Sequence, residues 1–202
     1  MIRGWCKVAI AAAQKLCGIR YRVLGLNNLP TGPAILLSKH QSAWETLALP
    51  VIMPKPLCFV LKKELLSIPF FGWVLGLTHM ISIDRKQGNK AFLSVISQGE
   101  RRLQDGSWII MFPEGTRTPV GKCGRYKVGG ARLAIATQSP IIPIAHNAGH
   151  CWSKGKFSLT PGEITISIGS PIFPNNQDVN ALNQSVADWI ELEMHIIDSQ
   201  AY

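Results

Sequence analysis

Short apolar runs alternate with stretches of helical periodicity along most of the chain, and this alternation restricts the fold more than any other feature. Residues 34–38 (AILLS), 57–61 (LCFVL) and 108–112 (WIIMF) are almost continuously apolar. Runs of that length without a polar alternate face are expected of strands covered on both sides. Residues 21–24, 79–83, 141–145 and 164–168 add further strands. Between them, residues 41–49, 90–104 and 129–137 read as helices, with Pro50 closing the first. Asp178 is placed to cap a last helix that carries Val179, Leu182, Val186, Trp189 and Ile197 on one face. The pattern predicts an α/β fold, a single domain with a largely parallel or mixed central sheet flanked by helices. The 202 residues contain no repeat, low-complexity tract or linker, and they suffice for one such domain, assigned to residues 20–202.

Residues 1–19 are assigned to an amphipathic helix. Met1, Ile2, Trp5, Val8, Ala9, Ala12 and Leu16 fall at helical spacing, and Arg3, Lys7 and Lys15 interrupt the apolar run. Its apolar core is too short for a cleavable signal peptide, and no stretch reaches the roughly eighteen apolar residues of a membrane span. The helix is a candidate for the membrane interface, or for packing on its own domain. The formal charge of +9 implies an anionic partner. Basic residues are not interleaved with aromatics as nucleic-acid binding would require, so an anionic membrane surface is favoured. The five cysteines lie far apart with no C-x-x-C pair, which argues against a zinc site and a disulfide framework and for a reducing, cytosol-facing location.

Polar signatures follow four of the apolar strands. Ser38-Lys39-His40-Gln41-Ser42-Ala43-Trp44-Glu45 follows AILLS; Lys62 follows LCFVL; Asp84-Arg85 follows the strand ending at Ile83; and Phe112-Pro113-Glu114-Gly115-Thr116-Arg117 ends WIIMF. Strand ends are where α/β folds place ligands. A histidine can take a proton from an alcohol near neutral pH, and a carboxylate can fix its tautomer. In one continuous helix His40 and Glu45 would point about 140° apart, so they converge only if His40 precedes the helix and Glu45 lies in its first turn. Ser42-Ala43-Trp44-Glu45 is also a capping box, in which Glu45 would merely reach back to the Ser42 amide. Gly115 permits a turn with exposed amides, and Arg117 offers a planar fork for phosphate oxygens. If the four strands share one sheet edge, a base and several cations surround a pocket suited to a phosphorylated alcohol. No G-x-S-x-G elbow is present, and His79, His146, His150 and His195 show no metal-ligand spacing.

These blocks, with S-P-I-I-P-I after them, resemble the glycerophospholipid acyltransferase family, whose histidine box is His-x4-Asp and here reads His-x4-Glu. The resemblance covers about residues 20–150 and is greatest toward bacterial 1-acyl-sn-glycerol-3-phosphate acyltransferases. It implies that family's fold, and a fatty acyl transfer from acyl-CoA or acyl carrier protein to the sn-2 hydroxyl of the lysophospholipid, giving phosphatidic acid. It implies His40 as general base and Glu45 as the acid that orients it. Lys62, Arg85 and Arg117 would hold the phosphate, with Gly115 and Thr116 shaping the pocket and Glu114 ordering the loop. It implies no metal and no cofactor beyond the acyl donor, and a peripheral position on the cytoplasmic face of the inner membrane. The alternatives are an acyltransferase for another lysophospholipid or a lyso-ornithine lipid, or a non-catalytic basic lipid-binding protein.

Overall fold

The computed structural model describes residues 2–67, 80–84, 88–155, 158–175 and 177–202, and for residues 62, 65, 66 and 89 the backbone only. Its strands are β1 (Ile19–Leu24), β2 (Ile35–Ser38), β3 (Leu57–Lys62), β4 (Ile81–Ile83), β5 (Trp108–Met111), β6 (Ile141–His146) and β7 (Gly162–Ile168). The helices are α1 (Ile2–Cys17), α2 (Trp44–Ile52), α3 (Gly88–Gln104), α4 (Gly129–Thr137) and α5 (Val179–Ile197), with short 3₁₀ turns at Leu26–Asn28 and Lys63–Ser67. The strands form one sheet in the order β1-β7-β6-β2-β5-β3-β4. All neighbours are parallel except β6 and β7, so the sheet is mixed.

Side chains alternate across the strands and separate the core into two layers. Leu36, Ile110, Ile142 and Ile144 face a layer containing Ile10 of α1 and Ala48 and Leu49 of α2. Ile35, Leu37, Ile109, Ile141 and Ala145 face the other, which holds Val95 of α3, Leu133 of α4 and Leu182, Val186, Ile190 and Met194 of α5. Both faces are therefore apolar, which is why the central strands lack polar alternation. The chain leaving β2 crosses one face as α2, and the chain leaving β5 crosses the other as α4. The C-terminal ends of these two adjacent parallel strands thus flank a topological switch point, where open α/β sheets form their binding crevice.

Two local differences from expectation have simple causes. Helix α2 runs through Pro50 to Ile52, because only the Thr46 carbonyl loses its helical donor while Met53 N–H still reaches the Leu49 carbonyl at 2.9 Å. Helix α1 packs on α2, but through Cys6, Ile10 and Ala13 rather than through Trp5, Val8 and Leu16. Arg3 reinforces the contact by donating to the carbonyls of Val51 and Met53. Trp5, Val8 and Leu16 are left 64%, 69% and 83% exposed, an outward apolar face that the domain does not cover. Asp178 caps α5 as expected, accepting from the Asn180 and Ala181 amides.

Gly130 of α4 packs against Leu37 of β2, the strand that leads to His40, and a side chain there would force Leu37 to shift. A Cβ on Gly130 would stand 2.5 Å from Leu37 Cδ2 in β2. Gly130→Ala is expected to lower stability by about 1–3 kcal/mol through overpacking, read from urea denaturation at constant m-value.

Candidate active site

Strands β2, β5, β3 and β4 are adjacent and parallel, so the ends expected to bear His40, the Glu114–Arg117 turn, Lys62 and Asp84 lie along one edge of the sheet. Arg85 and His79 lie outside the described residues, as does the Lys62 side chain. His40 and the Glu114–Arg117 turn are in direct contact. The His40 N–H donates to Glu114 Oε2 at 2.9 Å, and the Thr118 N–H donates to the His40 carbonyl at 2.8 Å. The imidazole stacks on the Phe112 ring, with centroids 4.0 Å apart and planes inclined by 15°.

His40 precedes α2 and Glu45 is in its first turn, the arrangement under which the two can meet. His40 Nδ1 stands 2.7 Å from Glu45 Oε1. The same oxygen accepts the Ser42 N–H at 2.9 Å and the Gln41 N–H at 3.1 Å, and the Ser42 hydroxyl accepts the Trp44 N–H. The two readings of this segment are therefore not rivals: Glu45 closes the helix start and holds the imidazole at once. Because an ionised carboxylate only accepts, Nδ1 carries the proton, and Nε2 is the nitrogen left with a lone pair for an incoming hydroxyl.

Glu45 is fully buried, and its Oε2 has no hydrogen-bond partner among the described residues. Burial alone would push its carboxyl up; the His146 and His40 imidazoles and the Ser42 amide outweigh that and hold it below the ordinary glutamate range. His146, from β6, is 4.0 Å from Glu45 Oε2 through Nε2 and was not singled out in the sequence as a site residue. Its Nδ1 accepts the Ala148 N–H, so Nε2 carries the proton and donates to the Lys39 carbonyl at 2.8 Å. Burial pushes His146 below its ordinary value of 6.5 and keeps it neutral.

The turn after β5 is built around Glu114 and Gly115. Glu114 Oε1 accepts from the Gly124 N–H at 3.3 Å and lies 3.0 Å from both the Thr118 hydroxyl and Lys39 Nζ. Glu114 thus joins the His40 backbone to its own loop, and its side chain is wholly buried. Gly115 has φ +70°, and a Cβ there would meet Lys127 Nζ at 2.7 Å. Among the described residues the Arg117 guanidinium has no hydrogen-bond or ion-pair partner. Lys154, another residue the motifs do not mark, donates to Thr116 Oγ1 and to the Arg117 carbonyl at 3.3 Å each. Lys127 and Lys154 therefore bring two further ammonium groups to this turn, supplied by loops rather than by strand ends. Among the described residues no three His, Cys, Asp or Glu side chains converge as a metal-ligand set, and all five cysteines are free thiols.

The buried neutral histidine gives stability a defined pH dependence. As pH falls below 6.5 the unfolded chain protonates at position 146 while the folded chain does not, so the unfolded state binds more protons and stability falls. Urea midpoints measured at about pH 7.5 and pH 5.5 should drop for the wild type, and drop less for His146→Gln.

The Acyltransferase family model matches residues 20–147. The chain is 43% identical over 197 residues to the 1-acyl-sn-glycerol-3-phosphate acyltransferase of Pseudomonas aeruginosa, a match covering 96% of this chain and 76% of that protein. It is 33% identical over 187 residues to the mouse (Mus musculus) 1-acyl-sn-glycerol-3-phosphate acyltransferase alpha, covering 89% and 65%. Its fold superposes on the crystal structure of the 1-acyl-sn-glycerophosphate (LPA) acyltransferase PlsC from Thermotoga maritima with a TM-score of 0.78 at 23% identity, covering 97% of this chain and 78% of that one. The matched segment runs from β1 through β6 and contains His40, Glu45 and the Glu114–Arg117 turn, and on that extent of similarity the chain belongs to the Acyltransferase family.

Proposed function

We propose that the protein transfers a fatty acyl group from the thioester of acyl-CoA or acyl carrier protein to the sn-2 hydroxyl of 1-acyl-sn-glycerol-3-phosphate, giving phosphatidic acid. The observation that carries this reading is the 2.7 Å contact of His40 Nδ1 with Glu45, set beside a turn with three cationic residues at the switch point of the sheet. The names of the relatives from Pseudomonas aeruginosa and mouse support the same substrate.

In this mechanism His40 Nε2 accepts the hydroxyl proton as the alcohol oxygen attacks the thioester carbonyl carbon. Glu45 stabilises the imidazolium that forms and keeps the ring in the required tautomer. The tetrahedral intermediate then expels the thiolate, the C–S bond breaks, and the proton held by His40 passes to sulfur. Neither a covalent acyl-enzyme nor a metal or other cofactor enters. Arg117, Lys154 and Lys127 receive the phosphate monoester, with Lys62 and Arg85 completing the ring from β3 and from the chain after β4. Gly115 and Thr116 form the floor of that subsite, and Glu114 orders its loop.

The amphiphilic substrate calls for a membrane surface. Among the described residues no helix is long and apolar enough to cross a membrane. The outward face of α1, with Trp5, Val8 and Leu16 exposed beside Lys7 and Lys15, suits the interface of an anionic bilayer on its cytoplasmic side. A second membrane contact is proposed in the apolar segment at residues 65–77, which lies outside the described residues except for Ser67 and the backbone of residues 65 and 66.

With acyl-CoA and acyl carrier protein donors and a panel of lysophosphatidate, lysophosphatidylglycerol and lyso-ornithine lipid acceptors, turnover should be fastest with lysophosphatidate. Under those conditions His40→Ala should lower kcat by about 10²–10⁴-fold while the circular dichroism spectrum is retained, and Arg117→Ala should chiefly raise KM for lysophosphatidate. Faster turnover of another acceptor would reassign the substrate, and an active His40→Ala would remove the mechanism. In a separate test, Trp5→Glu with Val8→Glu should reduce flotation with phosphatidylglycerol-containing liposomes; undiminished flotation would place the membrane contact elsewhere.

A further inference from the structure

Directly before the histidine stands a lysine whose side chain has no access to solvent. Lys39 Nζ has three protons and three oxygen partners: Glu191 Oε1 at 2.7 Å, Glu114 Oε1 at 3.0 Å and the Lys122 carbonyl at 3.2 Å. It also lies 5.6 Å from the centre of the Tyr202 ring. Burial would pull the ammonium down, but the Glu114 and Glu191 carboxylates outweigh it and hold Lys39 above its ordinary value, so it is charged. A buried ammonium between two carboxylates is a poor device for stability alone, since apolar replacement of such groups is often neutral or favourable.

What the lysine joins is specific. Glu114 binds the His40 amide at 2.9 Å and shares the Thr118 hydroxyl with the His40 carbonyl, so its position sets that of the histidine backbone. Glu191 projects from α5, well beyond the segment that the family model matches, and its Oε1 also accepts the Tyr126 hydroxyl at 2.7 Å. On the other side of His40, Gln41 donates to the Tyr202 hydroxyl at 2.9 Å and accepts the Gly149 N–H at 3.2 Å. Both neighbours of the histidine are therefore tied to α5 or to the segment following it.

We propose that Lys39 and Glu191 are positioning residues, a largely buried ion pair through which the last helix fixes Glu114 and, through it, the orientation of His40 for proton transfer. This role rests on the acyl-transfer reading above. Neither residue reaches the reacting atoms, so the pair acts on kcat more than on substrate binding.

The test compares wild type, Glu191→Gln, Lys39→Met and the double variant in acyl-CoA-dependent acylation of lysophosphatidate, each assayed well below its measured Tm. Misplacing a catalytic group by about 1 Å costs up to ~100-fold. Glu191→Gln should accordingly lower kcat about tenfold, and Lys39→Met by up to about 100-fold, with KM for lysophosphatidate changed less than about twofold. The double variant should be no worse than Lys39→Met, because the two residues act as one unit. Glu191→Gln decides the matter by itself if Lys39→Met does not fold, since glutamine can still accept from Tyr126 and Lys39. A kcat within about twofold of wild type for Glu191→Gln, or losses that multiply in the double variant, would overturn the proposal. An inactive wild type would instead remove the acyl-transfer reading, and this inference with it.

Discussion

A carboxylate shut away from water must find its donors within the protein, and much of the site's order follows from how Glu45 does so. One of its oxygens gathers the His40 imidazole and the Gln41 and Ser42 amides, and in spite of complete burial its pKa is depressed by the His146 and His40 imidazoles and the Ser42 amide. The three donors come from consecutive residues, so the chain between β2 and α2 has little freedom while that oxygen remains ionised. The sheet supplies the rest. Because β5 lies against β2, the Phe112 ring and the Glu114 side chain arrive on the histidine from the neighbouring strand end, one stacking on the ring and the other holding the backbone.

Charge is arranged in two zones with different physics. Lys39 and Glu114 are fully buried and Glu191 is largely so, and both carboxylates pair with the one ammonium, so their attraction to it is little screened by salt. Arg117, Lys127 and Lys154 lie around the turn after β5, partly or largely exposed, where water and ions screen them. Around the site the cations are thus mostly on a solvated rim, whereas inside it the one buried ammonium is outnumbered by carboxylates. On the proposed function, a phosphate monoester arriving at the site would meet that rim first.

The parts of this fold legible in the sequence are those set by local composition. Strands covered on both faces announce themselves as AILLS and WIIMF, and Asp178 marks a helix start because its side chain serves the two amides that follow. His40, Glu45 and the Glu114–Arg117 turn were legible as polar signatures after apolar strands. Strand order was not, and with it went His146, which acquires meaning only because β6 lands beside β2. Lys39 was hidden for a related reason: within a polar run it reads as solvated, and its burial depends on a helix some 150 residues away in sequence. In α1 the large apolar residues dominate the sequence pattern, yet the small Cys6 and Ala13, with Ile10, permit the close approach to α2, so the expected apolar face is the one left outside.

The glutamate in place of the family's usual aspartate is coupled to the turn it closes. Shortening the side chain by one carbon would withdraw the carboxylate by roughly 1.5 Å, and contacts of 2.7, 2.9 and 3.1 Å cannot all survive that without tightening residues 40–43 or starting α2 earlier. Acid length and turn conformation are therefore one choice. The longer reach places Oε1 among three donors and leaves Oε2 without a hydrogen-bond partner among the described residues, with the neutral His146 at 4.0 Å. A buried acid with one oxygen unserved gains most when positive charge appears beside it. On the proposed mechanism that charge appears at His40 only as the hydroxyl proton is taken up, so the incomplete satisfaction of Glu45 favours the reacting state over the resting one.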